Sequence, residues 1–569
     1  MSHSIRRSEA QHIEMTDGVV PYPSEAVRRY RAAGAWHESS LAAEIDSALR
    51  AHADNVALVS GDTRWTYRQL RERVRAFASG VLDSTSLRPG DAVMFQMGNV
   101  EETVVSYLGA LAAGLRPVCT LPQHGVREVG LLARHVGATG LITQSDFGRR
   151  QLPAIAATLL GEGAVEVVIE ARGAEIAGAV GYEALVARGR EIGPTPVVVD
   201  HDDVALFQLS GGTTGLPKVA PRLHEEYAYN SRRWAQVLGW GPGTVALYPL
   251  PLMHNAGIAL ALQPILLSGG TLVLAPSADV HTILDLIEAQ RPDTLPLIPP
   301  ALAIRLLEEP RTLSVDLSCI KDFIVGGQRL AVDVATRLRS ELGIDVRQMF
   351  GMAEGMFTLT STGAGEAERY RTVGQPISDL DEVRIADPAT GLEVDDGVVG
   401  ELCVRGPYTI RGYFRAAEHN NRSFTADGFY RTGDLARRHR IDGRIAYSID
   451  GRIKDVINRG VEKIHAEEVE ELILTHPDVT NAALVAMPDA VLGERACAYL
   501  VMDPDSAPLT IASLGEHLTR CGLAKYKLPE RVEIVATFPL SNVGKVSKKD
   551  LRTDIETKLQ REANQETAL

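Results

Sequence analysis

From about residue 55 to about residue 350 the chain alternates short, continuous apolar runs with segments whose apolar residues recur at three- and four-residue spacing. The runs are AVMFQM (92–97), GLITQ (140–144), VEVVIE (165–170), VALFQLS (204–210), TLVLA (271–275), TLPLIP (294–299) and DFIVGG (322–327). Such runs predict strands covered on both faces. The segments between them, such as YRQLRERVRAFASGVL (67–82) and VDVATRLRSEL (332–342), predict amphipathic helices. Strands and helices in regular alternation leave few architectures other than layered α/β sheets.

Near residue 380 the texture changes. DEVRIAD, GELCVRG and GRIAYSIDGRIKDVINRG are short and Gly-punctuated, which predicts antiparallel structure and a β-barrel-like subdomain. A compact α+β segment follows, with the helix HAEEVEELILTH and the strands AALVAMP and ACAYLVM. The expected fold is therefore α/β. A large N-terminal domain (1–453) of layered sheets plus the barrel-like part precedes a small α+β C-terminal domain (454–569), with the boundary inside DGRIKD (450–455). A chain of 569 residues exceeds what one core usually serves, which agrees with more than one domain. The apolar stretch 256–267 is expected to be a buried helix, and the polar tail 556–569 to fray.

Lys plus Arg number 59 against 73 Asp plus Glu, a net charge of −14. That balance argues against nucleic acid or an anionic membrane surface as a bulk partner. No run of about 20 apolar residues spans a bilayer, and the first fifteen residues hold no apolar run of the secretory kind. The five cysteines (Cys119, Cys319, Cys403, Cys497 and Cys521) are scattered without a CxxC pair, so neither a disulfide framework nor a zinc site is indicated. The expected setting is the reducing cytoplasm.

The densest chemistry is FQLSGGTTGLPKVAP (207–221), which follows a good strand. Its glycines let backbone N–H groups approach a ligand, Ser210, Thr213 and Thr214 add hydroxyls, and Lys218 adds a positive charge. The Walker A pattern needs lysine directly after glycine; here Leu216 and Pro217 intervene, and the dinucleotide fingerprint GxGxxG also fails.

SGGTTGLPK resembles the signature of the adenylate-forming enzymes: acyl-CoA synthetases, peptide-synthetase adenylation domains and luciferases. Four further segments resemble that superfamily's motifs in the same order: FGMAEG (350–355), FYRTGDLAR (429–437), DGRIKDVINRGVEKI (450–464) and SNVGKVSKKDLR (541–552). Over nearly the whole chain the likeness is to standalone aryl-acid AMP ligases. It includes LPLMHN, RGPYTIRGYFRAAEHN and GLAKYKLPERVE.

The resemblance implies that a carboxylate reacts with ATP to give an acyl-adenylate (an aryl-AMP) and pyrophosphate, and that the acyl group then passes to a thiol. It assigns Ser210, Gly211, Gly212, Thr213, Thr214 and Gly215 to the phosphates, with Lys218 as a mobile electrostatic partner. Phe350 and Gly351, with the backbone of Gly326, Gly327 and Gln328, would hold adenine. Glu354 would ligate Mg²⁺, a hard cation that takes oxygen ligands. Asp434 and Arg452 would sit at the ribose. Lys545 would bridge the substrate carboxylate and the α-phosphate as charge builds up. Lys454 would mark the hinge about which a mobile C-terminal domain turns between the half-reactions.

For the acid, the resemblance points to His254, Asn255 and also Gly327, with the Asn255 amide paired to an ortho hydroxyl or similar group. The neighbouring positions depart from the 2,3-dihydroxybenzoate pattern. HNYPLSS becomes HNAGIAL, placing Ala256 and Leu260 where Tyr and Ser are usual, while Met356 and Phe357 bring apolar bulk. Lost hydroxyl partners and added bulk argue for an apolar 3-position, with salicylate the simplest acid. Anthranilate, a methylated salicylate and a hydroxypicolinate stay open. Val461 replaces a usual Gly in NRGVEKI, beside Gly460 and Lys463, on the thiol's expected path. The acceptor is expected to be a phosphopantetheinyl carrier protein on a separate chain. CoA is the alternative, a non-catalytic adenylate-binding protein a remote one, and a homodimer is compatible with either.

Overall fold

Residues 17–148, 151–174, 176–210, 217–459, 462–489, 492–521, 523–540 and 546–567 are described by a computed structural model. Contacts gather the chain into two compact units. One comprises Met1–Asp293, Met352–Gly355 and Gly406–Gly428, and the other Thr294–Gly351, Met356–Arg405 and Phe429–Leu569.

The first unit holds a seven-stranded sheet in the order Val180–Gly181, Val167–Ala171, Ala138–Gln144, Ala92–Gln96, Arg116–Val118, Val204–Ser210, Lys218–Leu223. Its pairs are parallel except the last, which is an antiparallel hairpin. A second layer pairs Val245–Tyr248, Thr271–Leu274 and Val56–Ser60 in parallel, with Thr63–Thr66 antiparallel at its edge. The helix Tyr67–Ser84 starts where the sequence supplies a reciprocal cap. The Gln69 amide donates to Thr66 Oγ1 (3.2 Å) and the Thr66 amide to Gln69 Oε1 (2.9 Å).

In the second unit the strands Thr294–Ile298, Asp322–Gly326 and Val346–Met352 are parallel. The part expected to be barrel-like is a four-stranded antiparallel sheet, Glu382–Ala386, Gly400–Arg405, Tyr430–Ile441 and Arg444–Arg452. Beyond it lies an α+β layer built on the long hairpin Val479–Asp489 and Gly493–Met502. Val469, Ile473, Leu514 and Leu518 pack on one face of that hairpin, and Leu551 and Ile555 on the other.

Two expectations change in detail. The stretch at 256–267 is buried, but it is one turn of π-helix, Gly257–Leu262, followed by the α-helix Gln263–Ser268. Pro264 has no N–H to give the Leu260 carbonyl, so the α ladder cannot run through. The tail expected to fray is helical to Thr567. Leu551, Ile555 and Leu559 recur every four residues against Cys497 and Tyr499, and the Tyr499 hydroxyl donates to Asp554 (2.6 Å). None of the five cysteines is in a disulfide, and among the described residues no helix is long and apolar enough to cross a membrane.

Candidate active site

The two flanks of the glycine-rich loop form the seven-stranded sheet's terminal hairpin, in which Ser210 lies opposite Lys218. That register explains the spacing of the motif. The lysine opens a strand instead of a helix, so it follows the turn and not the last glycine. Gly211, Gly212, Thr213, Thr214 and Gly215 lie outside the described residues. Lys218 is half-buried, its Nζ 5.0 Å from the centre of the Tyr413 ring. Burial lowers its pKa, and Glu354 opposes that shift.

Glu354 is buried at 5% exposure. Both the Ser210 and the Tyr413 hydroxyls donate to its Oε1. Its backbone is held as firmly as its carboxylate. The Ile410 amide donates to the Glu354 carbonyl (2.8 Å). Gly355 adopts φ +122°, and a Cβ there would lie 2.1 Å from the Tyr408 carbonyl oxygen. Only glycine fits that position. Behind this turn Arg222 is fully buried. Its guanidinium donates to Ala353 O (2.8 Å), Tyr408 O (2.9 Å) and both oxygens of Glu226 (2.7 and 2.8 Å). Burial raises the Glu226 pKa and Arg222 works against it. The half-buried Ser210 hydroxyl, the buried Tyr413 hydroxyl and the Glu354 carboxylate around one point make an oxygen-rich donor set, the kind a hard divalent cation takes.

Asn255 lies in the same unit at 5% exposure. Its Oδ1 accepts from the Tyr227 hydroxyl (2.8 Å) and its Nδ2 donates to Met352 O (3.2 Å). Tyr227 in turn receives the Gln208 amide (3.2 Å). One N–H and one lone pair of Asn255 are thus beyond these bonds. His254 turns back so that its Nδ1 accepts the Ala256 amide (3.3 Å). Ala256 and Leu260 are both buried, the latter in the π turn. Asn99 anchors the strand end that carries this segment, accepting from the Leu252 amide (2.8 Å) and donating to Leu250 O (2.8 Å) and Ala275 O (2.9 Å).

The second unit carries the remaining expected residues. Asp434 is buried and Arg452 Nε donates to its Oδ1 (3.0 Å), the two facing each other across antiparallel strands. Burial lowers the Arg452 pKa, but Asp434 and Asp455 outweigh it and the net shift is upward. Lys454 sits in the 3₁₀ turn Ile453–Asp455, its pKa lowered first by burial and then by Arg452. Gly326 is buried while Gly327 and Gln328 are exposed at the end of the strand Asp322–Gly326. Phe350 is half-buried near the end of Val346–Met352. A side chain on Gly351 would meet the Phe357 ring at 2.4 Å. Met356 is buried with φ 43°, a left-handed conformation that is costly for a non-glycine residue. Lys545, Gly460 and Val461 lie outside the described residues.

The sequence did not single out Arg222, Tyr227, Tyr413 or Asn99. Arg222 carried a signal: PRLHEE places a glutamate four residues after an arginine, the spacing of a helical ion pair. The others act through bonds between residues distant in the chain, which no spacing reveals.

The profile of the AMP-binding enzymes matches residues 45–414, and that of the AMP-binding enzyme C-terminal domain matches 468–545. Pyochelin synthase PchD of Pseudomonas aeruginosa strain UCBPP-PA14 is 39% identical over 96% of this chain and 98% of its own length. A Streptomyces salicylyl-CoA synthase / salicylate adenylyltransferase is 39% identical over 94% and 97%. The apo structure of Mycobacterium smegmatis MbtA is 34% identical, covers 94% of this chain and 98% of its own, and superposes with a TM-score of 0.72. The chain therefore belongs to the AMP-binding enzyme family, in the aryl-acid AMP ligase branch of the adenylate-forming superfamily.

Proposed function

We propose that the protein activates an ortho-substituted aryl carboxylic acid, salicylate-like, as its aryl-adenylate and transfers the acyl group to the phosphopantetheine thiol of a separate carrier protein. The observation that carries the acid class is Asn255, a buried amide bonded to Tyr227 and Met352 O with one N–H and one lone pair left over. A buried amide discriminates against ligands that leave it unpaired, so an acid with an ortho donor or acceptor is favoured. Ala256 and Leu260, both apolar and buried in the segment that carries Asn255, support an apolar 3-position.

In the first half-reaction a carboxylate oxygen attacks the α-phosphorus and pyrophosphate departs. Lys218 offers positive charge to the departing phosphates, and Lys545 steadies the anion forming between carboxylate and α-phosphate. Asp434 accepts the ribose hydroxyls, with Arg452 holding its carboxylate. Ser210 and Glu354 would hold Mg²⁺, which supplies charge neutralisation on the phosphates. In the second half-reaction the thiolate sulfur attacks the acyl carbonyl and AMP leaves. Turning of residues 454–569 about Lys454 exchanges the two arrangements. The expected setting is the cytoplasm. CoA is the second reading for the acceptor, favoured by the first half of the Streptomyces relative's name.

Incubation with ATP and a panel of aryl acids, with CoA or a holo carrier protein, tests both points by mass spectrometry. Salicylate-dependent pyrophosphate exchange and acylated carrier are expected. Strong preference for 2,3-dihydroxybenzoate would overturn the acid assignment, and acyl-CoA alone the acceptor.

A further inference from the structure

Tyr413 has no role in the assignments above, yet it touches two of them at once. It is 1% exposed, its hydroxyl donates to Glu354 Oε1, and its ring lies beneath the Lys218 ammonium at 5.0 Å. Its own place is fixed from the backbone. The Tyr413 amide donates to Asn420 Oδ1 (2.8 Å), and Asn420 Nδ2 donates back to the Tyr413 carbonyl (2.9 Å). A clamped backbone and a buried ring are pre-organised, so the groups the side chain touches inherit its position.

We propose that Tyr413 is a positioning residue for nucleotide binding, setting both the anion meant for the metal and the cation meant for the phosphates. This rests on the nucleotide roles proposed for Glu354 and Lys218. Tyr413 and Ser210 both donate to Oε1, which leaves Oε2 outside those two bonds and open to a hard cation. The aromatic face gives the Lys218 charge a favourable surface without neutralising it, as a carboxylate partner would. One residue thus keeps a carboxylate and an ammonium in fixed places before ATP arrives. The order of binding energies follows: the hydroxyl matters to the metal, the ring to the phosphates.

The two contributions separate by substitution in the full-length protein. Tyr413→Phe keeps the ring and removes the hydroxyl, whereas Tyr413→Leu removes both. Calorimetry measures ATP binding with Mg²⁺ and with EDTA, alongside the Tm of each variant. Tyr413→Phe is expected to weaken Mg–ATP binding about tenfold, the scale of an outer-shell partner's loss, while ATP binding in EDTA and the Tm stay near the parent values. Tyr413→Leu is expected to weaken binding under both conditions. Parent-like Mg–ATP binding by Tyr413→Phe would overturn the proposal, as would an equal loss with and without metal. Salicylate-dependent pyrophosphate exchange by the parent protein reports on the functional reading separately.

Discussion

Arg222 is the residue on which the Glu354 turn rests, and its removal is predicted to produce a pH-dependent loss of stability. In Arg222→Met the buried Glu226 carboxylate loses two bonds of 2.7 and 2.8 Å and keeps only the Leu223 amide at 2.9 Å. Breaking one side of a buried pair costs roughly 3–5 kcal/mol. The Ala353 and Tyr408 carbonyls lose their donors as well, at roughly 1–3 kcal/mol each where no replacement donor reaches them. Glu226 escapes part of the cost by taking up a proton, since burial already raises its pKa. A carboxyl whose folded pKa lies above its unfolded value binds more protons folded, so stability is retained at low pH and lost as pH rises. The destabilisation of Arg222→Met should therefore grow between pH 5 and pH 8, by at most about 1.4 kcal/mol per unit. Adding Glu226→Gln, which keeps an oxygen for the Leu223 amide without a charge, should abolish the pH slope and recover part of the loss, leaving the carbonyl deficit. Urea unfolding followed by circular dichroism at several pH values measures all three proteins. A double variant less stable than Arg222→Met at pH 8, or a single variant whose deficit does not change with pH, would refute the reasoning.

Two further outcomes are expected. Lys545→Ala should abolish pyrophosphate exchange while leaving thiolysis of preformed aryl-adenylate largely intact, and equal loss of both half-reactions would remove Lys545 from the adenylation step. Glu467, on the helix that follows the Asp450–Asp455 segment, has its pKa raised to about 7, chiefly by burial, with Lys548 opposing and Glu470 adding to the shift. Its charged form therefore costs stability as pH rises from its ordinary 4.5 through 7, a span worth roughly 3 kcal/mol. Glu467→Gln should raise the Tm at pH 8 and leave it unchanged at pH 4.5; a gain equal at both values would show that titration is not the cause.

The sequence alone set the α/β class, the seven strands read from apolar runs between residues 92 and 327, each to within two residues at either end, and the motifs that place the chain in its family. Strand Val204–Ser210 and helix Val332–Leu342 begin and end where their apolar periods do, because one-dimensional spacing is the cause of those elements. The Glu354 position, the Ser210 and Lys218 flanks and the Asn255 segment were legible for a similar reason: each lies in a contiguous motif. Tertiary structure decided what the motifs rest on. Arg222 reaches Ala353 and Tyr408 across 131 and 186 residues of chain, and Tyr413 reaches Glu354 across 59. The tail is likewise helical because it continues a helix that Leu551, Ile555 and Leu559 anchor against Cys497 and Tyr499, not because its own polar composition favours order. Local pattern fixes an element's period and ends. Which buried donor meets which carbonyl depends on chain segments brought together only by the packed sheet, and no interval along the sequence encodes that distance.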